Sequence, residues 1–437
     1  MTIKQQLLDR LVKRTARVGI VGLGYVGLPL AVEFAEAGFR VIGVDVARDK
    51  VDSLNRGESY ILDIPTERLK PLVESGKFSA TTDYAALAEA DTVSICVPTP
   101  VNRAKEPDMT FVIDSVDGIA QICHDGMLVV LESTAYPGAA TEIILPRLSF
   151  NGFRVGENVF VAFSPERIDP ANPRFNVRNT PKVIGGVTPA CTEICSALYE
   201  AAVDQIVPVS SPTTAEMVKL LENTFRAVNI GLVNELAIMC DLLDVNVWEV
   251  IQAAATKPFG FMPFYPGPGV GGHCIPVDPL YLSWKMKTLN YNARFIELAA
   301  SINMGMPGVV MERITEALND DAKPVRGSRV VVLGAAYKRD VDDVRESPAL
   351  DVLHLLRRKG ADVVYHDPYV GKLRLEDGTV MHSVAYSEAL LESADCVVIV
   401  TDHRRIDYQH VLDHTRLVVD TRNVTAQLKG RARVALL

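Results

Sequence analysis

Arg17-Val18-Gly19-Ile20-Val21-Gly22-Leu23-Gly24-Tyr25-Val26-Gly27 is the run that decides the fold. Its first five residues read as a strand buried on both faces, where a parallel sheet tolerates an unbroken apolar run. The G-x-G-x-x-G turn comes next, and its three glycines have separate tasks. Gly22 permits the tight turn, Gly24 lets a pyrophosphate approach the backbone, and Gly27 lets helix and strand pack closely. A helix is expected over 28–37, ended by Gly38 as a C′ glycine. Its amino end, with Tyr25 and Val26 in the turn before it, faces the phosphates. Arg40–Val44 is the second strand, and Asp45 stands at its end, 21 residues beyond Gly24, placed to bond a ribose 2′-hydroxyl. A carboxylate there repels a 2′-phosphate, so NAD is expected as cofactor over NADP, with Arg48 the one nearby residue pointing the other way.

Outward from this turn, further strands are expected over 92–97, 127–132 and 159–163. Ligands of an open parallel sheet bind outside the carboxyl ends of its strands. Pro98-Thr99-Pro100 and Glu132-Ser133-Thr134 should therefore border the nicotinamide half of the cofactor. Thr134 has two readings, a holder of substrate hydroxyl or water and a cap on the strand end. Glu166 in Ser164-Pro165-Glu166-Arg167 is a candidate base just past a strand, or a solvated charge.

The chain has 437 residues, 48% of them apolar and 23% charged, with a formal charge of −9. That length exceeds the roughly 250–300 residues at which single cores stop growing, so two or three domains are expected. The negative balance argues against nucleic acid or an anionic membrane as partner. The longest apolar run, 18–32, holds four glycines and falls short of the ~18 residues of a membrane span. The opening 16 residues are amphipathic, with no apolar core or cleavage site of a secretory signal. Seven dispersed cysteines suggest free thiols in a reducing cytoplasm. Cys191 and Cys195 form a C-x3-C pair, and His410 and His414 an H-x3-H pair. Neither has a matching half nearby in sequence, so no metal is expected.

In the middle, Thr213-Thr214-Ala215-Glu216 fits a capping box, opening a helix expected to reach about residue 244. Such a helix, some thirty residues and about 45 Å long, bridges domains or forms a subunit interface. Its apolar side includes Val218, Leu221, Phe225, Leu232 and Leu236. Glu216, Lys219, Asn223 and Arg226 make another stripe, either a wetted face or one that carries Lys219 and Asn223 toward a reacting centre. There an ammonium would steady an alkoxide and an amide would orient water. Beyond this helix lies Gly267-Pro268-Gly269-Val270-Gly271-Gly272-His273-Cys274-Ile275-Pro276-Val277-Asp278. Glycine admits close approach and proline stiffens the loop, so it can hold the Cys274 thiol still with Asp278 four residues on. The competing reading is a tight turn around a small buried cysteine.

Residues 329–338 start a second copy of the opening pattern. Ser347-Pro348 fits an N-cap and N1 pair, a helix is expected over 349–359 with Gly360 after it, and Asp367 closes the next strand. Only Gly334 of the three glycines remains, and Lys338 and Arg345 lie in the turn region. Cationic side chains replacing a backbone cradle suit a phosphate-bearing ligand other than a second NAD, unless this fold is only structural.

The fold class expected is therefore α/β, two Rossmann-like parallel-sheet domains joined by a long central helical segment. An NAD fold, a cation-bearing fold and a held cysteine together suit oxidation of a nucleotide-linked alcohol to an acid through a thiohemiacetal and thioester. The segments VGIVGLGYVGLPLA (18–31), SPERIDP (164–170), KLLEN (219–223), GPGVGGHCIPVDPLYL (267–282) and AYKRDVDDVRESPA (336–349) resemble the UDP-glucose/GDP-mannose dehydrogenase family. That resemblance implies an NAD domain over 1–208, a helical dimerisation segment over 209–310 and a nucleotide-sugar domain over 311–437. It implies Cys274 as nucleophile and Lys219 as the stabiliser of oxyanions. Asn223 and Thr134 would hold water or the reacting oxygen, Asp278 would assist Cys274 and Lys219, and Glu166 would be the acid/base of thioester hydrolysis. Lys338, Tyr265, Gly267–Gly272 and, less centrally, Arg345 would contact the nucleotide-sugar.

SPERIDPAN (164–172) and FMPFYPGPGVGGHC (261–274) are similar to the branch oxidising C6 of UDP-N-acetylhexosamines. UDP-N-acetylglucosamine is expected first and UDP-N-acetylgalactosamine next, with a uronic acid for cell-surface polysaccharide as product. UDP-glucose, GDP-mannose and UDP-N-acetylmannosamine stay open. So do two other classes, a two-electron hydroxyacid-type dehydrogenase and an idle NAD-binding regulator.

Overall fold

The computed structural model describes residues 1–437 except 62, 103, 104, 151, 169–171 and 173. Asp169, Pro170 and Ala171 of the SPERIDPAN run thus lie outside the described residues. The chain divides into two compact units, Met1–Glu222 with Leu280–Asn290, and Asn223–Pro279 with Tyr291–Leu437. Residues of the 209–310 segment contribute to both.

The first unit is built on eight strands: β1 (Arg17–Val21), β2 (Arg40–Val44), β3 (Phe78–Thr81), β4 (Thr92–Ile95), β5 (Leu128–Leu131), β6 (Phe160–Phe163), β7 (Lys182–Gly186) and β8 (Ile206–Val209). Their order is β3-β2-β1-β4-β5-β6-β7-β8. Val21 lies opposite both Val44 and Ile95, so Gly22, Asp45 and Cys96 leave the sheet at one level. One feature departs from an all-parallel sheet: β7 runs antiparallel to β6. Among the described residues, the connection between them holds no helix, and a parallel crossover usually needs one. The helix Gly27–Glu36 starts one residue earlier than expected and is buried on every side through Ala35. Gly38 follows at φ +103°, the left-handed C′ position. The opening segment is structured as well. Thr2 and Gln5 form a capping box on the helix Ile3–Val12, whose Leu7 and Leu11 enter the core of this unit.

The second unit repeats the design with β9 (Arg329–Leu333), β10 (Asp362–His366), the hairpin β11 (Lys372–Arg374) and β12 (Val380–His382), then β13 (Cys396–Ile399), β14 (Leu417–Asp420) and β15 (Arg433–Leu436). The order is β10-β9-β13-β14-β15, all parallel. Side chains alternate between two cores, as a strand covered on both faces requires. Val330 and Val332 join Leu353 and Leu356, while Val331 and Leu333 join Leu391 and Val411. The helix Pro348–Lys359 has Ser347 as N-cap and Gly360 in the left-handed region after it, as its sequence required.

The long helix runs Pro212–Leu242, 31 residues. Its cap is not the expected box. The Ser211 hydroxyl accepts the Thr214 N–H at 3.1 Å, two residues before Thr213, because Pro212 can open a helix and lacks the N–H that an interior position needs. Within the second unit its inner face is small: an added Cβ on Gly231 would meet the Ala299 Cα at 3.1 Å in the helix Arg294–Asp320. Several of its larger apolar residues are exposed, although Leu220 is fully buried. Leu221, Phe225 and Leu232, expected on the apolar side, are all exposed.

Candidate active site

In the first unit the G-x-G-x-x-G turn has the geometry its glycines implied. Gly22 sits at φ +89°, and a Cβ there would meet the Cys96 carbonyl oxygen at 2.7 Å. At Gly27 a Cβ would fall 1.8 Å from the Gly22 oxygen, so only glycine allows helix and turn to touch. Gly24 differs, since an added Cβ would meet no atom within 4 Å. The Asp45 carboxylate accepts the N–H of Leu23 at 2.9 Å and of Ala47 at 3.0 Å, fixing one acid at the mouth of the turn. The helix start at Val26 has no side-chain cap and no acid in its first turn. An open glycine face, an uncompensated helix amino terminus and a positioned carboxylate fit the pyrophosphate and ribose of NAD. Tyr25 is partly exposed beside them.

This separation gives a prediction. Gly24→Ala should leave thermal stability within about 0.5 kcal/mol of the parent, since nothing in the protein is displaced. Its NAD dissociation constant should rise at least ~10-fold, about 1.4 kcal/mol. Gly27→Ala should instead lower the melting temperature sharply. Calorimetric titration with NAD and thermal unfolding distinguish the two, and a Gly24 variant that melts early but binds NAD normally would reverse the assignment.

Pro98 and Thr99 follow β4, and the Tyr281 hydroxyl donates to the Thr99 carbonyl at 2.7 Å. Ser133 ties the end of β5 to the end of β4 by donating to the Val97 carbonyl at 2.7 Å, which leaves Thr134 partly exposed in the next position. Glu132 itself does not face outward from its loop. It is fully buried, paired with Lys182 and hydrogen-bonded by Tyr199. Burial raises the Glu132 carboxyl against the pull of Lys182. Lys182, itself pushed down by burial, is held above its ordinary value by Glu132 and Glu166. Glu166 is not a solvated charge. Its Oε1 accepts the N–H groups of Arg167 and Ile168, both at 2.7 Å, and its Oε2 lies 3.8 Å from the Lys182 ammonium.

The polar stripe of the long helix is likewise not a wetted face. Lys219 is 8% exposed and Glu216 1%. Both Glu216 oxygens are used, one accepting the Gly138 N–H at 2.5 Å and the other the Ala140 N–H at 2.9 Å. Burial outweighs these bonds and pushes the Glu216 carboxyl up to about 7. A carboxyl raised in the folded state stabilises below its unfolded value and loses that contribution as pH rises through the folded one. Stability to urea should therefore fall between about pH 4.5 and 7, by up to about 3 kcal/mol. Glu216→Gln should flatten that slope, and an equal slope in both proteins would show another group to be responsible. Arg226, the last of the stripe, is exposed.

The second unit holds the cysteine loop. Asn234, fully buried, accepts the Gly267 N–H at 3.0 Å and donates to Asn303 at 2.8 Å. The loop then lies against the turn of the second Rossmann-like fold. An added Cβ on Gly271 would strike Tyr337 and the Glu346 carbonyl at 2.7 Å, and one on Gly272 would strike the Tyr337 ring at 2.8 Å. The Gly272 N–H donates to the Arg345 carbonyl at 3.0 Å. Cys274 is partly exposed, and its carbonyl accepts the Asp278 N–H at 2.8 Å at the start of the helix Asp278–Thr288. Asn223 donates to the buried Asp278 carboxylate at 2.6 Å. Two residues expected at the site, though not as partners of each other, are thus in direct contact.

Tyr265 stacks on Trp248 with centroids 5.9 Å apart and planes at 13°, and it is exposed. Lys338 is half-buried in the turn after β9. Arg345, the other cation of the turn region, is paired within it. It grips Asp343 with contacts of 2.6 and 3.0 Å and reaches His273 at 3.2 Å. Arg422, not expected from the sequence, lies against the loop, its guanidinium 2.8 Å from where a Gly267 Cβ would be. Burial, reinforced by Arg339, pushes it down to about 10, the condition of a cation that an anion would relieve. It follows β14 at its carboxyl end, so the rule that singled out Glu166 would have found it. The turn itself repeats the first unit: Gly334 is at φ +87°, and Asp367 accepts the N–H of Ala335 at 2.7 Å as Asp45 accepts that of Leu23.

Lys219, Glu166 and Thr134 thus belong to the first unit, and Asn223, Asp278, Cys274 and Lys338 to the second. Cys191 and Cys195 are core sulfurs of the helix Pro189–Tyr199.

Comparison with known proteins finds matches over most of the chain. Residues 16–203 match the NAD binding domain of the UDP-glucose/GDP-mannose dehydrogenase family, 213–305 its central domain and 331–427 its UDP binding domain. The chain is 38% identical to the UDP-N-acetyl-D-mannosamine dehydrogenase of Salmonella typhi, over 93% of this chain and 98% of that protein. It is 36% identical to the UDP-N-acetyl-D-glucosamine 6-dehydrogenase of Pseudomonas aeruginosa, over 81% and 83%. The solved UDP-D-ManNAc dehydrogenase of Pyrococcus horikoshii superposes with a TM-score of 0.86 at 32% identity, covering 95% of this chain and 98% of that one.

Proposed function

From its membership of the UDP-glucose/GDP-mannose dehydrogenase family, which makes the chain an NAD-dependent nucleotide-sugar dehydrogenase, we propose that it oxidises C6 of a UDP-N-acetylhexosamine to the carboxylate. The observation carrying this reading is the cysteine loop, wedged by Gly271 and Gly272 against Tyr337. An alcohol-to-aldehyde dehydrogenase has no use for a held thiol, whereas an aldehyde-to-acid step does.

Each residue then has a task. Gly22–Gly27 and Asp45 hold NAD, which when bound takes the hydride at each of two oxidations. Lys219 stabilises the alkoxide of the first and the oxyanions of the second. The Cys274 thiolate adds to the aldehyde carbon, and loss of hydride from the thiohemiacetal leaves a thioester. Glu166 accepts a proton from the water that cleaves the thioester, and the thiol is released with the acid. Asp278 orients Asn223, whose amide, with Thr134, holds water or the reacting oxygen. Lys338, Arg422, Tyr265 and the backbone of 267–272 take the nucleotide-sugar, with Arg345 positioning His273 and the turn.

UDP-N-acetylglucosamine is the substrate favoured by the loops 164–172 and 261–274. A second reading, UDP-N-acetylmannosamine, is favoured by the Salmonella and Pyrococcus relatives. Purified protein with NAD and a panel of both sugars, UDP-N-acetylgalactosamine, UDP-glucose and GDP-mannose tests the proposal. An acetamido sugar should give the highest kcat/KM, and preference for UDP-glucose or GDP-mannose would reject it.

Phe225, Leu232 and Met239 recur at seven-residue spacing on the long helix and are 46%, 60% and 48% exposed. Phe295 and Leu298 on the helix Arg294–Asp320 are also exposed. Such faces support a dimer through the central segment, which sedimentation would test. Free cysteines and a net charge of −9 suit a cytoplasmic enzyme making polysaccharide precursors. No helix among the described residues is long and apolar enough to cross a membrane.

A further inference from the structure

His410 and His414 lie one turn apart on the helix Tyr408–His414, the spacing that points two imidazoles at one ion. In sequence they lack a partner. In the folded second unit the helix Glu388–Glu392 supplies one. One ligand atom from each of Glu388, His410 and His414 falls within 4.8 Å of the others. The His414 Nδ1 is 3.3 Å from Glu388 Oε1 and 3.8 Å from Glu392 Oε1. Ligand atoms about 2.0–2.1 Å from a tetrahedral zinc ion are themselves roughly 3.3 Å apart. The two rings stand side by side, with centroids 4.4 Å apart.

Hydrogen-bond bookkeeping fixes which His410 nitrogen is available. The Tyr386 hydroxyl has one proton and donates it to the Asp407 carbonyl at 3.0 Å, an oxygen that can only accept. At its other contact, 3.1 Å from His410 Nδ1, the hydroxyl must accept. His410 therefore carries its proton on Nδ1 and its lone pair on Nε2. A ring whose outer nitrogen donates to an oxygen is the usual condition of a metal-bound histidine. Arg431 lies 3.7 Å from Glu392 Oε1 and opposes a cation at that carboxylate, so Glu388 is the stronger ligand of the pair.

We propose that Glu388, His410 and His414 form a binding site for a divalent transition-metal ion of the zinc class, clasping two helices of the C-terminal fold. Mixed imidazole and carboxylate donors select zinc, cobalt or nickel over magnesium and calcium. Three protein ligands leave one position for water. None of these residues has a part in the proposed oxidation.

Zinc titration of the untagged full chain, followed by calorimetry, tests the site, with Cys274→Ala alongside because zinc also binds thiolates. One zinc per chain should bind with a dissociation constant of roughly 10 μM or tighter. The constant should rise at least ~10-fold in His414→Ala and in Glu388→Gln and be unchanged in Cys274→Ala. The exposed Glu388 side chain makes its glutamine variant safe for folding, and metal-free melting should match the parent. Cobalt(II) should give a tetrahedral spectrum without a thiolate charge-transfer band. Binding that survives both variants, depends on Cys274 or shows thiolate absorption would overturn the proposal, as would no binding at millimolar zinc.

Discussion

Cys274→Ala is expected to abolish carboxylate formation, lowering its rate by at least ~10³-fold while NAD affinity stays within about 2-fold of the parent. The expectation rests on where the two functions sit. The cofactor turn is made by Gly22, Gly24, Gly27 and Asp45 of the first unit, whereas Cys274 belongs to a loop anchored within the second. Removing one sulfur atom leaves the anchors of that loop untouched: Asn234 on Gly267, Arg345 on Gly272, and the Cys274 carbonyl under the Asp278 N–H. The loss should therefore be chemical. NADH absorbance with product analysis, together with calorimetry for NAD, separates the outcomes. Undiminished acid formation would remove the thiol from the reaction.

Lys219→Ala should have the second largest effect, lowering kcat by ~10²–10³-fold with a smaller change in KM. Lys219 is buried on a helix whose neighbouring positions are tightly committed. Glu216 caps the amides of Gly138 and Ala140, and Glu222 pairs with Arg167 at 2.6 Å. A buried ammonium held on so fixed a turn can meet developing negative charge without reorganising. If it merely held substrate, KM alone would rise. Lys219→Arg should recover little, because a planar guanidinium cannot replace a point charge in a closed space.

The parts legible in the sequence are those whose physics is local. Gly27 answers to Gly22 five residues before it, whereas Gly22 answers to Cys96 at the end of the neighbouring strand and Gly24 to no protein atom; their shared spacing was nonetheless enough to mark the turn. Ser347-Pro348 and Gly360 mark a helix in the same way. The Cys274 loop was recognisable from its glycine and proline density, although the ring it packs on, Tyr337, was not. Glu132 was misread because its position after a strand resembles that of Glu166. What decides it is Lys182 and Tyr199, 50 and 67 residues further along. The capping box at Thr213 failed because Glu216 serves the amides of Gly138 and Ala140 instead. His410 and His414 lacked a third ligand only because Glu388 comes from another helix. In each case the missing information was a contact between distant segments, which periodicity does not carry.

The central claim is that the enzyme carries an alcohol through to an acid using the Cys274 thiol. Its most direct measure is the ratio of NADH formed to nucleotide-sugar consumed at completion. Two NADH per sugar, with a uronic acid as the product, is the predicted result. One NADH per sugar, with an aldehyde or ketone accumulating, would contradict it.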